Sequence, residues 1–106
     1  MLGKCMISQP MNGLSNGQIL NTRGKAITAI EQCGYEFLDS YFGDSYKKDM
    51  DGDPENINIP VLYLSKAIER MSYCKAVYFC KGWEKARGCR IEHEVAVAYG
   101  LECIYE

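Results

Sequence analysis

Apolar and polar positions along the chain switch repeatedly between a strand-like and a helix-like period. Leu2 to Ile7 is a short apolar run, broken only by Gly3 and Lys4, and reads as a buried strand. Gln9-Pro10-Met11-Asn12-Gly13 is turn chemistry, because Pro sets φ and Asn-Gly tolerates positive φ. Ser15 with Gln18 three residues on is a capping box, so a helix starts there. Its apolar stripe is Ile19, Ala26, Ile27, Ile30 and Cys33, and Gly34 stops it. Tyr35 to Leu38 is a second strand. Asp39 to Asn58 is polar and reads as a long loop. Pro60 suits the first turn of a second helix, with Val61, Leu64, Ile68 and Met71 on one face. Ala76 to Cys80 is apolar throughout, as a strand covered on both faces should be. A last helix is predicted from Gly88 to Tyr99, with Ile91, Val95 and Ala98 turned inward. Gly100 ends it, and Leu101 to Tyr105 forms the closing strand.

Strands alternating with helices predict parallel β-α-β units and one α/β domain over residues 1–106. The expected sheet has four strands, or five if the long loop adds one. Ligands of such sheets bind beyond the carboxyl ends of the strands. That edge carries Ser8 to Gly13, Asp39 to Tyr46, and Lys81 to Arg90, so candidate chemistry belongs in those three loops.

Composition narrows the partners. Hydrophobic residues make up 47% and charged residues 25%, enough apolar side chain to offset the cost of ordering. The net charge of −2 comes with no basic run, which argues against duplex nucleic acid as a partner. No apolar stretch reaches the length of a membrane span, and Met1 to Ile7 is too short for a signal peptide. The expected location is the cytoplasm. Cys5, Cys33, Cys74, Cys80, Cys89 and Cys103 contain no Cys-x-x-Cys, and most lie in apolar runs, so reduced thiols are expected. Asp51-x-Asp53 lacks the remainder of a calcium loop. Neither a metal nor a cofactor is expected.

The richest segment runs from Gly82 to Gly100. Glu92, Ala96 and Gly100 stand four apart on one helix face, with Glu92 expected in the first turn at the ligand edge. Trp83 is the only tryptophan, in a loop, where it could stack on a ligand or pack on the rim of the sheet. Gly88 opens the backbone amides of the helix start, and Arg87 and Arg90 flank it as phosphate contacts or as solvated charges. Cys89 and His93, also four apart, form a rival Cys-His pair in which the helix start would lower the thiol pKa.

Gly88-x-x-x-Glu92-x-x-x-Ala96-x-x-x-Gly100 after an apolar strand, followed by a short closing strand, resembles the nucleoside 2-deoxyribosyltransferase superfamily. Trp83-x-x-x-x-Gly88 is similar to a small bacterial and phage branch of it. The strand leading into Ser8-Gln9-Pro10-Met11-Asn12-Gly13 is similar to the family's opening segment. The resemblance implies a flavodoxin-like, Rossmann-like three-layer sandwich. It implies that Glu92 is a nucleophile acting on the N-glycosidic bond of a nucleoside or nucleotide, by transfer or hydrolysis. Ser8, Gln9, Pro10, Met11, Asn12, Gly13, Trp83, Gly88 and Cys89 would then contact the ligand. A helix N-terminus would keep Glu92 ionised. The chain departs from the family where an acid is usual before the third strand: Tyr63-Leu64-Ser65-Lys66-Ala67 has no carboxylate, and Glu69 is one turn further on. Glu94 stands where the family has Gly. The other function these residues suit is a nucleotide-derivative binder using the same pocket without turnover. A homodimer or higher homo-oligomer is expected, with the helix containing Val61 to Met71 in the interface and Tyr41 to Asn58 near a partner's pocket.

Overall fold

A computed structural model describes residues 2–39 and 56–106. Strand β1 (Lys4–Ser8) leads through a turn into helix α1 (Asn16–Gln32), then β2 (Glu36–Phe37). After the segment at 40–55 come α2 (Ile59–Met71), β3 (Ala76–Phe79), a single 3-10 turn at Trp83–Lys85, α3 (Arg87–Ala98) and β4 (Glu102–Tyr105). The four strands are all parallel, in the order β2-β1-β3-β4. The fold is therefore the expected α/β, flavodoxin-like arrangement. A fifth strand from the long loop, the Asp51-x-Asp53 pair and the segment expected near a partner's pocket fall wholly or mainly outside the described residues.

The local signals act as their chemistry dictates. Ser15 caps α1 and accepts from the Gln18 backbone N–H at 3.2 Å. The Gln18 side chain takes the Ser15 N–H at 2.9 Å, which completes the capping box. Asn58 caps α2 by accepting from the Val61 N–H, and Pro60 sits in the first turn, where its missing N–H costs nothing. Gly34 has φ +89, the left-handed turn that ends α1 and returns the chain to β2.

Side chains alternate across the central strands and feed two cores. Cys5, Ile7, Ala76 and Tyr78 pack with Ala26 and Ile30 of α1 on one face. Met6, Val77 and Phe79 pack with Met71 of α2 and Ala96 of α3 on the other. One helix above the sheet and two below make three layers. The topology also creates a switch point. Beyond β1 the chain turns into α1 on one face, and beyond β3 into α3 on the other, so their carboxyl ends diverge and leave a crevice.

Several inward positions differ from the expected stripes. Cys33 after α1 and Val61 on α2 are exposed, and Arg23 is buried on the α1 stripe. On α3 the sheet-facing residues are Cys89 and Ala96, with Glu92 between them, whereas Ile91 and Ala98 are exposed. The helix is rotated relative to its apolar pattern, so that a carboxylate points toward the sheet.

Candidate functional site

The switch-point crevice is a cleft of about 1340 Å3. Gln9, Pro10, Met11 and Asn12, which follow β1, form one side of it, with Asn16 and Arg23 from α1. Asn58, Pro60, Val61, Tyr63, Leu64 and Ala67 of α2 and its cap form a mainly apolar wall. Gly82 and then Lys85 to Glu92, from the β3–α3 connection, close the third side. Small-molecule clefts are commonly 300–1000 Å3, so there is room for a sugar with a base and further substituents.

Gly82 makes the third side possible. Its φ of +90 lets the chain turn sharply after β3, with Pro10 beside it. The 3-10 turn then delivers Ala86 as the residue preceding α3. No side chain caps that helix, so its first-turn amides point into the cleft unclaimed by a capping group. Gly88 is the second residue of α3, and Glu92 folds back toward it. A side-chain carbon at Gly88 would stand 3.9 Å from Glu92 Oε2.

Glu92 is the sole carboxylate lining the cleft among the described residues. Burial pushes its pKa from the ordinary 4.5 up to about 7, opposed only by the nearby Ser8 hydroxyl. This corrects the expectation that the helix N-terminus holds it ionised. Because α3 begins at Arg87, Glu92 lies in the second turn, and the dipole's influence fades within the first. Desolvation is the larger effect.

The other expected contacts divide. Gln9, Pro10, Met11, Asn12, Gly88 and Cys89 line the cleft with Glu92. Ser8 lies buried beneath it, and Gly13 stands outside the lining. Trp83 is not in the cleft. Its ring stacks on His93 with centroids 4.1 Å apart and tilts against Phe79 at 5.4 Å, on the other side of α3. His93 also shares a 2.7 Å hydrogen bond with the Tyr105 hydroxyl. Trp83 thus packs at the rim of the sheet, outside the cleft that holds Glu92. Arg87 lines the cleft, whereas Arg90 lies with Trp83 and His93 along a shallow groove behind the helix.

The Cys89–His93 pair is not assembled. Cys89 faces the sheet, and burial raises its pKa to about 11, the reverse of the activation a nucleophilic thiol needs. His93 faces the aromatic cluster. Among the described residues no three metal-ligating side chains converge. Glu69 is exposed and pairs loosely with Lys66 at 4.0 Å, so it does not supply the family's second acid to the cleft.

Sequence reasoning missed Arg23 and most of the α2 wall. Arg23 is 6% exposed and lines the cleft. It donates to Asp39 Oδ1 at 3.0 Å and to Gln9 Oε1 at 3.4 Å, and it lies over the Phe37 ring. Gln9 in turn donates to the Ile19 carbonyl at 2.9 Å, so its amide is held at both ends. The available signal was a charge four residues after Ile19 and three before Ala26, inside the apolar stripe.

A family model described as a domain of unknown function (DUF4406) matches residues 3–105. No curated protein and no solved structure matches the chain.

Proposed function

The chain belongs to the DUF4406 family, and from its cleft we propose that it acts on the N-glycosidic bond of a nucleoside or nucleotide. The observation that carries this is Glu92, the lone carboxylate lining the cleft among the described residues, desolvated and set over Gly88 at the switch point of a parallel sheet. Cleavage of such a bond passes through an oxocarbenium-like state, which a carboxylate on the far face of the sugar stabilises and traps. Ionised Glu92 forms an ester to the anomeric carbon as the carbon–nitrogen bond breaks. The bonding pair leaves with the base, which takes its proton from solvent. Water or a second base then attacks the ester, giving hydrolysis or transfer. Positive charge developing on the sugar also favours the ionised carboxylate, offsetting its desolvation when it matters.

The α2 wall of Pro60, Val61 and Leu64 offers the base an apolar surface, while Gln9, Asn12 and Arg23 offer polar contacts to the rest of the ligand. Among the described residues the cleft's charged lining is Arg23, Lys85 and Arg87 against Glu92, a balance suited to an anionic ligand.

A second reading, a nucleotide-derivative binder without turnover, is favoured by one feature. No other described carboxylate lines the cleft to protonate a departing base. Incubating the protein with a mixture of nucleosides and nucleotides, followed by chromatography, separates the two. Free base supports the enzyme; saturable binding without base supports the binder. Self-association as a dimer is part of the same proposal, and the cytoplasm its expected setting.

A further inference from the structure

Ser8 combines two properties that seldom coexist. Its side chain is 1% exposed, yet its hydroxyl makes no hydrogen bond within the described residues. Buried hydroxyls nearly always find a partner, because an unpaired one forfeits its hydration for nothing. Strand geometry fixes where this one points. Met6 packs in the core shared with α2 and α3, so Ser8, two residues on, projects to the same face. Its backbone is locked: it is in register with Phe79, and its carbonyl accepts the Cys80 N–H at 3.0 Å. Over it lies the inner face of α3, carrying Cys89 and Glu92. The hydroxyl is near enough to both groups to favour the charged form of each, yet meets the geometry of a hydrogen bond to neither.

We infer that Ser8 is the positioning residue for Glu92: its hydroxyl donates to the Glu92 carboxylate when that group ionises, holding one oxygen and leaving the other for the ligand. Of the two groups in reach, only Glu92 acquires charge near neutrality. Cys89 remains a thiol, which is a weak acceptor. Among the described residues, the other charged or titratable side chains lining the cleft are Arg87 on the same helix, Lys85 before it, Arg23 from α1 and Tyr63 from α2. Neither β1 nor β3 contributes one to it. Ser8 is thus the hydroxyl through which the sheet itself sets the orientation of the carboxylate. The inference deepens the reading of Glu92 as the acting group and draws its catalytic meaning from it.

The test needs no substrate. Carbon-13 labelling of glutamate carboxyls in the full chain allows Glu92 to be titrated by NMR, with Glu92→Gln assigning its resonance. In Ser8→Ala the midpoint should rise by about one pH unit or more, the worth of one hydrogen bond to a charged group. Ser8→Cys, close in size but a weak donor, should shift it the same way and replaces the alanine variant if that does not fold. An unchanged midpoint in the variant measured overturns the assignment. Base release by the wild-type protein is a separate measurement, so failure of Ser8 to tune Glu92 and failure of the glycosidic reading are told apart.

Discussion

Glu92 carries most of the chemistry and gives the sharpest residue-level expectations. Glu92→Gln should abolish base release while ligand affinity stays within about tenfold, since the amide keeps the shape but forms no ester. The wild-type pH profile follows from the raised pKa. As a nucleophile Glu92 acts ionised, so kcat/KM should climb tenfold per pH unit below about 7 and level off above it. A profile falling across that range would make Glu92 an acid instead. Stability runs the other way. The folded-state pKa lies above the unfolded one, so the contribution of this group is fully present below about 4.5 and lost as pH rises through about 7. Glu92→Gln never ionises, and should raise stability at pH 8.5 by up to about 3 kcal/mol while changing it little at pH 4. Thermal melts at both values read this directly. Gly88→Ala probes ligand approach with the fold intact. The added carbon makes only ordinary contact at 3.9 Å, and in a helix it should stabilise by about 0.5–1 kcal/mol. A loss of activity in a more stable protein therefore reports crowding over Glu92.

At the scale of elements, legibility tracked how local the physics is. The capping box of α1 and the Pro60 start of α2 depend on residues within one turn, and both stand where the sequence places them. The β1 run was readable as a strand, although its bounds moved from Leu2–Ile7 to Lys4–Ser8. The inner face of α3 was not legible. Of the expected stripe Ile91, Val95 and Ala98, only Val95 packs against the core, and the sheet takes Cys89 and Ala96 with a carboxylate between them. Patterning assumes that polar residues face out, and it fails where a site needs a polar group inside. Arg23 escaped for the same reason. Its burial is sustained by Gln9, Asp39 and Phe37, partners 14 to 16 residues away for the two hydrogen bonds. Arg23→Ala should cost about 1–2 kcal/mol by denaturant melt, mainly lost packing and an unpaired Gln9 oxygen, because Asp39 is mostly exposed and keeps its hydration. Trp83 shows a different limit. A lone loop aromatic invites a ligand in the cleft, but this ring stacks on His93 and tilts against Phe79 on the other side of α3, and no spacing rule reveals that.

The whole molecule explains why the cleft lies where it does. Four parallel strands in the order β2-β1-β3-β4 split the chain's path at the ends of β1 and β3. The loops that diverge there bring Gln9 to Asn12 against Gly88 to Glu92, about eighty positions apart in the chain. No described helix is long and apolar enough to cross a membrane. Val97, Tyr99 and Tyr105 expose more than half of their surface, and association would cover apolar area of this kind. Light scattering at micromolar concentration should give a mass near twice the 12.0 kDa chain; a monomer mass would require each cleft to work from one chain. The central claim is that Glu92 forms a bond to the sugar, and intact-mass spectrometry tests it most directly. Wild-type protein quenched during incubation with 2-fluoro-sugar nucleosides and nucleotides, which slow release of the ester, should gain one sugar fragment per chain. The fragment should map to the peptide containing Glu92 and be absent from Glu92→Gln. Saturable binding of these compounds with no mass gain, or an adduct that persists in Glu92→Gln, would contradict it.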